Sequence, residues 1–279
     1  MNVSLVVPTF NNEKTIKLCL DSLKQQLSKN DEIIIVDSFS KDKTVEICKD
    51  YTKNIIFTKK KRSGARNIGW KKAKNEVIIF IESDSIYDKK YIYIVKELMK
   101  NEDISCVLDK RAFYKPDNWV SKTLQKEFEL RQNNNYNNSP PNPWIIKKEI
   151  LKKVNGFDEN LEYGEDADIG IRIKEKEYKI YFEKKAIQYH LGEPNNLKQV
   201  IERSWKFGKN MEKFYNKYQK YPTTKSLIFV FSIIFPPLFL AIFLINITRY
   251  NLKMKDRIKL SFISLIRNIS FSISYFLNY

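Results

Sequence analysis

The sequence is poor in cysteine, and this shortage excludes two kinds of site. It has three cysteines among 279 residues, and two of them, Cys19 and Cys48, fall at apolar positions of predicted helices. An odd number of cysteines at core positions fits reduced thiols. It does not fit a disulfide framework or a cysteine-ligated zinc site.

Acidic residues are scarce relative to basic ones. The chain has 33 Asp and Glu against 50 Lys and Arg, a formal net charge of +17. Such a surplus favours an anionic partner, namely a nucleic acid, an acidic membrane leaflet or a phosphorylated substrate. Hydrophobic residues make up 43% of the chain and aromatic residues 14%, which excludes wholesale disorder. The apolar run at 3–8 is too short for a secretory signal, so we expect a cytosolic N-terminal body.

Short β-branched runs alternate with helical patterns through the first two thirds of the chain. Predicted strands cover residues 3–7, 33–36, 55–57, 77–81, 104–108, 180–182 and 186–189, and predicted helices cover 13–27, 44–51, 64–74, 89–100 and a segment ending near 177. Asn12 is the expected N-cap of the first helix. This order predicts an α/β fold with a Rossmann-like, mostly parallel sheet flanked by helices. The Asn-rich stretch at 133–141 predicts a loop, either a solvated connector or a flap beside the active site.

The last part of the chain changes character. Residues 227–247 carry no charge, which is close to the ~20 residues that cross a bilayer. A proline pair at 236–237 interrupts the run, and both of its flanks are basic. A hairpin dipping into the cytosolic leaflet is preferred to a single span, because it keeps both flanks on one side. Residues 260–279 predict an amphipathic helix with Phe262, Ile269 and Ile273 on its apolar face; a soluble helical cap is the alternative. We therefore expect a domain at 1–220 and membrane-associated helices at 221–279.

Carboxylates stand where the predicted strands end. Asp37 closes one apolar run, and Glu82 and Asp84 close another; Glu165 and Asp166 open a helical pattern. In an open α/β sheet, ligands bind outside the carboxyl ends of the strands. Acids gathered there predict a site for a divalent cation and a sugar diphosphate.

Five motifs carry a family resemblance over about residues 1–190. They are residues 6–13 (VVPTFNNE), 36–44 (VDSFSKDKT), 64–69 (GARNIG), 82–84 (ESD) and 164–168 (GEDAD). Together, in this order, they resemble the family 2 glycosyltransferases with the GT-A fold. The resemblance implies a nucleotide-sugar donor, with a uridine or guanosine diphosphate sugar expected.

The resemblance also implies roles for residues on the donor side. Pro8, Thr9 and Glu13 would line the nucleoside site, and Asp37 would contact the base or ribose. A loop hydrogen bond is the alternative role of Asp37. Arg66, near a predicted helix start, would reach the diphosphate.

A second group would hold the metal and the acceptor. The Glu82–Asp84 motif takes the place of the family's Asp-x-Asp, and both acids would bind the nucleotide sugar. The first residue departs from the common pattern, so Glu82 would touch the ribose or a metal-bound water, and Asp84 is the expected direct ligand of Mn²⁺ or Mg²⁺. His190, the single histidine, would complete the metal site. By the same resemblance Asp166 is the general base and Glu165 its acceptor-binding neighbour; alternatively both only favour a helix N-terminus.

These inferences predict an inverting, metal-dependent hexosyl- or N-acetylhexosaminyltransferase on the cytoplasmic side of the cell membrane. The expected acceptor is a hydroxyl of a lipid-linked or other glycan, and the expected membrane partner is an anionic leaflet. A polyprenyl- or dolichyl-phosphate sugar synthase is the enzymatic alternative, and a non-catalytic membrane-bound scaffold is the other. Nucleic acid is not expected as the partner, because the basic residues cluster beside the apolar tail.

Overall fold

The computed structural model describes residues 1–134, 143–218, 244 and 252–277. Within these residues the strands join into one eight-stranded sheet with the order β3-β2-β1-β4-β7-β6-β8-β5. The strands are β1 Val3–Thr9, β2 Glu32–Asp37, β3 Ile55–Phe57, β4 Val77–Phe80, β5 Ser85–Tyr87, β6 Cys106–Phe113, β7 Ile145–Lys147 and β8 Ile180–His190. The helices are α1 Ile16–Lys24, α2 Thr44–Lys49, α3 Arg62–Lys72, α4 Tyr91–Met99, α5 Trp119–Asn134, α6 Lys148–Lys153, α7 Glu165–Glu175, α8 Leu197–Asn210, α9 Glu212–Tyr218 and α10 Met254–Leu277.

The sheet is mostly parallel, as predicted. β1 pairs in parallel with β2 and β4, β2 with β3, and β6 with β8. β7 runs antiparallel between β4 and β6, and β5 runs antiparallel to β8 at the edge. Residues Ile33 to Asp37 of β2 are all buried, as expected for a strand covered on both faces. The ends of β1, β2 and β4 consequently lie side by side at one edge.

Helix α3 packs directly on this part of the sheet, and a glycine permits the close approach. A Cβ added to Gly69 would lie 2.2 Å from Cγ1 of Val6 on β1. No side chain fits at that distance, so the backbone of α3 rests on the strand. The first turns of α3 are thereby fixed beside the carboxyl edge of the sheet.

Several local predictions were wrong. Helix α1 begins at Ile16, and Asn12 is not its N-cap; the Asn12 Oδ1 accepts the Phe10 N–H at 2.8 Å. Strand β5 and helix α5 were not predicted, and the two runs near 180–189 form a single strand, β8. Helix α5 continues to Asn134, so the predicted loop at 133–141 starts as a helix; the remainder of that loop lies outside the described residues.

The chain groups into two compact units. The first comprises residues 1–114 and 134–192, and the second comprises 115–133 and 193–279. The predicted boundary at 220 and the uncharged run at 227–247 lie outside the described residues, apart from Leu244. That boundary stays a prediction.

Within the second unit, α8 packs against a serine-rich face of α10. Its buried positions include five serines, whereas Phe262 is 41% and Leu277 71% exposed. Small side chains explain the orientation, because they let two helices approach closely. A Cβ on Gly208 of α8 would lie 2.3 Å from the Phe271 carbonyl oxygen, and the Ser274 Oγ donates to the Trp205 carbonyl at 2.7 Å. Met254–Leu277 is the one helix in the described part that is long and apolar enough to cross a membrane.

Candidate functional site

The corner between β1 and β2 is organised by Asp37. Its carboxylate is fully buried and accepts hydrogen bonds from the Thr9 Oγ1 at 2.8 Å, the Ser40 N–H at 2.7 Å and the Ser40 Oγ at 2.6 Å. Asp37 therefore locks the end of β1 to the loop that follows β2, which matches the loop-bonding alternative. Phe39, within that loop, has a left-handed φ of 60° and leaves its ring 51% exposed.

Glu13 and Pro8 lie in the same corner. Glu13 is exposed, and its Oε2 accepts the Lys43 N–H at 3.1 Å, while its own N–H donates to Asp42 at 3.1 Å. Pro8 is half-buried near the end of β1. Reciprocal hydrogen bonds thus join the loop after β1 to the loop after β2, at the place where the sequence predicts the nucleoside site.

Asp84 and His190 meet beside the end of β4. The His190 Nε2 lies 3.1 Å from the Asp84 Oδ2, and the Gly192 N–H donates to the His190 Nδ1 at 3.2 Å. A neutral ring that accepts at Nδ1 carries its proton on Nε2, where it donates to Asp84. Burial pushes the pKa of Asp84 upward, but the hydrogen bond from His190 and the nearby charge of Arg111 outweigh it and lower the pKa to about 2.

This pair fits a divalent cation. Two neighbouring ligands of an octahedral ion at about 2.1 Å stand about 3 Å apart, close to the 3.1 Å between Asp84 and His190. The described part of the chain holds no cluster of three or more His, Cys, Asp or Glu suited to a metal. Two protein ligands suffice for Mg²⁺ when diphosphate oxygens and waters complete its shell. To bind a cation through Nε2, the neutral imidazole would have to carry its proton on Nδ1 instead and so give up the hydrogen bond from the Gly192 N–H.

Glu82 faces an arginine that the sequence did not single out. Its Oε2 is buried and lies 3.7 Å from a terminal nitrogen of Arg111 on β6. The predicted strand stopped at residue 108, so Arg111 fell beyond it; β6 in fact continues to Phe113. Extending the predicted strand by three residues would have included this cation.

Arg66 and Glu165 form a buried ion pair. Their side chains are 4% and 5% exposed, and the Arg66 NH1 lies 2.9 Å from the Glu165 Oε1. The guanidinium also stacks against Trp144 at 4.7 Å and Phe157 at 5.2 Å. Arg62, which is exposed, approaches the same carboxylate oxygen at 3.6 Å.

Asp166 stands next to that pair in the first turn of α7. Gly164 precedes the helix with a left-handed φ of 76°. Asp166 is half-buried, and its Oδ1 accepts the Ala167 N–H at 2.8 Å. Burial, followed by the negative charge of Glu165, raises the pKa of Asp166 to about 6.

The predicted residues therefore fall into three contacting sets. One set joins Thr9 to Asp37, a second joins Asp84 to His190, and a third joins Arg66 to Glu165. The negative charge of Glu82 contributes to the raised pKa of Asp166. A carboxylate of raised pKa can accept a proton, and a bound cation can stabilise a negative leaving group.

Comparison with known proteins gives consistent matches. The family model described as glycosyl transferase family 2 matches residues 4–154. The uncharacterized glycosyltransferase EpsJ of Bacillus subtilis (strain 168) is 24% identical over 218 residues, covering 71% of this chain and 63% of that protein. The uncharacterized glycosyltransferase RT0329 of Rickettsia typhi is 28% identical over 188 residues, covering 61% and 58%. The chain thus spans less than two thirds of the length of these relatives.

Solved structures share the fold. S. aureus TarS 1–349 in complex with UDP-GlcNAc superposes with a TM-score of 0.57 at 16% identity, covering 95% of this chain and 90% of that one. Glucosyl-3-phosphoglycerate synthase from Mycobacterium tuberculosis in complex with Mg²⁺ and UDP gives 0.55 at 18% identity, covering 77% and 78%. At these identities the likeness shows the fold alone.

Proposed function

Because this chain belongs to the family 2 glycosyltransferases and has their GT-A fold, we propose that it transfers a sugar from a nucleoside-diphosphate sugar to a hydroxyl of a glycan acceptor, with inversion. The observation that carries the proposal is the 3.1 Å approach of His190 to Asp84 at the carboxyl edge of the sheet. Fold neighbours crystallised with UDP-GlcNAc, or with Mg²⁺ and UDP, support a uridine diphosphate donor. The donor class remains open to guanosine diphosphate sugars.

On the donor side, the chain would supply two loops for the nucleoside and two ligands for the metal ion. The loops joined by Asp37 and Glu13 would receive the nucleoside beside Pro8 and Thr9. Asp84 and His190 would hold Mn²⁺ or Mg²⁺, which supplies positive charge to the departing diphosphate. Arg111 brings a further cation to Glu82 on this side.

On the acceptor side, Asp166 would act as the general base. The acceptor oxygen forms a bond to the anomeric carbon while the bond to the diphosphate oxygen breaks, and the hydroxyl proton passes to Asp166. The raised pKa of about 6 suits this role, because a base works best when its pKa lies near the operating pH. Attack from the side opposite the leaving group inverts the configuration.

We further propose a lipid-linked acceptor and attachment to the cytoplasmic face of the membrane. Helix α10 buries serines against α8 and leaves Phe262 and Leu277 exposed, an orientation unfavourable in water and normal in lipid. Lys253 and Lys255, at the start of this segment, are exposed and suit anionic headgroups. The proposed division at 220 places this helix in the membrane-associated part.

A donor screen tests the proposed activity. Purified full-length protein is incubated with a panel of nucleotide sugars and Mn²⁺, and released nucleoside diphosphate is measured. We expect release with one donor, loss of that release in Asp84→Ala, and no loss in Asp103→Ala, which changes an exposed acid in the turn before β6. Absence of release from every donor, with and without glycan acceptors, would leave the scaffold alternative standing.

An acceptor comparison separates the two enzymatic alternatives. A polyprenyl phosphate is already ionised and needs little base help, whereas a sugar hydroxyl needs a base. We expect transfer to a lipid-linked glycan that is abolished by Asp166→Asn. Transfer to polyprenyl phosphate that survives Asp166→Asn would instead identify a polyprenyl-phosphate sugar synthase.

A further inference from the structure

Helix α3 holds the segment that leads into α7. The Asn67 side chain brackets Phe157, donating to its carbonyl at 2.8 Å and accepting its N–H at 2.9 Å. The Ser63 Oγ donates to the Leu161 carbonyl at 3.0 Å. One face of α3 therefore contacts this segment at successive turns, and the segment ends at the first turn of α7.

Arg66 makes the last of these contacts. Arg66 is 3% exposed as a residue, its guanidinium lies 4.7 Å from the Trp144 ring and 5.2 Å from the Phe157 ring, and Glu165 is its ion-pair partner. At this exposure the guanidinium has no open face for a diphosphate. Removing one partner of such a pair is costly, because it leaves a buried charge without compensation.

We propose that Arg66 is a positioning residue: through its ion pair with Glu165 it fixes the first turn of α7 and thereby the carboxylate of Asp166. Glu165 is then the link between them and not a contact of the acceptor. This inference rests on the proposed function, since it takes Asp166 as the proton acceptor.

The Arg66–Glu165 pair also influences the pKa of Asp166 through its charges. Glu165 beside it and Glu82 after β4 raise the pKa of Asp166, and Arg66 from α3 lowers it. Loss of Glu165's charge should therefore lower that pKa, and loss of Arg66's charge should raise it. Opposite shifts would show that both charges act on Asp166, whereas a loss of kcat would report that its carboxylate has been displaced.

The test compares Glu165→Gln with Arg66→Met. The readouts are kcat against pH between about pH 5 and 9, and UDP affinity with Mn²⁺ by calorimetry. We expect the acid limb of kcat to move about one pH unit lower in Glu165→Gln and about one unit higher in Arg66→Met. Both should lose about tenfold or more in kcat, because a displaced base is a poor base. UDP affinity should stay within about twofold of that of the unaltered protein.

Three further variants keep the test decisive. Arg66→Met/Glu165→Gln removes both charges, so it should fold even if a single variant does not, and its acid limb should return near the original. Arg62→Met removes the exposed neighbour of Glu165 and should change kcat by less than about twofold. Arg172→Met breaks the other arginine–carboxylate pair of α7, with Asp168, and should lower stability without moving the acid limb.

Two results would overturn the inference. One is a tenfold or greater loss of UDP affinity in Arg66→Met, which would place the guanidinium on the diphosphate. The other is an unmoved acid limb in both single variants and the double variant. A failure of the proposed function looks different, because the unaltered protein would then release no nucleoside diphosphate, although its UDP affinity could still be measured.

Discussion

The two carboxylates assigned the central tasks have opposite surroundings. Asp84 accepts a hydrogen bond from His190, and this bond together with the nearby charges outweighs burial and lowers its pKa to about 2. Asp166 is enclosed beside a second carboxylate, and burial with that charge raises its pKa to about 6. In the proposed mechanism, one residue type would thus provide a permanent anion at the donor end and a proton acceptor at the acceptor end. Environment, more than identity, divides the roles.

The two positions also differ in what holds them. The Asp84 side chain is 39% exposed and contacts His190. The Asp84 backbone is held by the Leu191 N–H, which donates to the Asp84 carbonyl at 2.8 Å. In the proposed arrangement α3 would fix Asp166 through the Arg66–Glu165 ion pair. The first carboxylate is thus supported by a hydrogen-bond partner of its own, and the second through its neighbour in the helix.

The largest effect should follow from removing the proton acceptor. Asp166→Asn keeps the size of the side chain but cannot take a proton, so we expect kcat to fall about 10²- to 10⁴-fold. UDP affinity should not change, because Asp166 is assigned to the acceptor side. Steady-state transfer and calorimetry check both halves. A variant with unaltered kcat would remove Asp166 from the chemistry.

The next effect should come from the donor-side pair. His190→Gln removes the imidazole next to Asp84, and we expect the Mn²⁺ concentration for half-maximal activity to rise about 10- to 100-fold. Excess Mn²⁺ should restore most of kcat, a recovery that Asp166→Asn cannot show. An unchanged Mn²⁺ requirement would argue that His190 only orients Asp84.

The sequence predicted strands β1, β2 and β4 well, because each of them can be recognised from its own residues. β1, β2 and β4 are continuous apolar runs, and their ends are marked by Asp37 and Glu82. A strand buried on both faces needs no knowledge of its partners to be recognised. The edge strand β5 was missed because Ser85–Tyr87 is too short to show a period and is defined by pairing with β8.

Side-chain partners were not predictable in the same way. Arg66 near the start of a helix suggested a phosphate ligand, yet its partner Glu165 lies 99 residues along the chain. The packing partner of α10 could not be predicted for a related reason. Hydrophobic periodicity locates the apolar face of a helix, but it does not show that the serines of the other face pack closely against Gly208 of α8.

The pH dependence of the unaltered enzyme sharpens the contrast between the two acids. Asp166 must be ionised to accept a proton, and its pKa is about 6. We therefore expect kcat to be constant above about pH 7 and to fall about tenfold per unit below pH 6. Asp84, with a pKa of about 2, stays ionised across this range and contributes no inflection. An acid limb that is absent down to pH 5 would contradict the raised pKa.

The smallest effect should follow from crowding the donor-side pair without removing any of its atoms. A Cβ on Gly192 would lie 3.1 Å from the His190 Cε1 and 3.5 Å from the Asp84 Oδ2, so Gly192→Ala requires the ring to move by a few tenths of an ångström. Such a shift changes the 3.1 Å spacing that suits an octahedral ion. We expect the Mn²⁺ requirement to rise a few-fold, with the acid limb of kcat unmoved because Asp166 is untouched. Equal changes in the metal requirement and in the acid limb would mean that the two carboxylates are coupled and do not act as separate halves of the site.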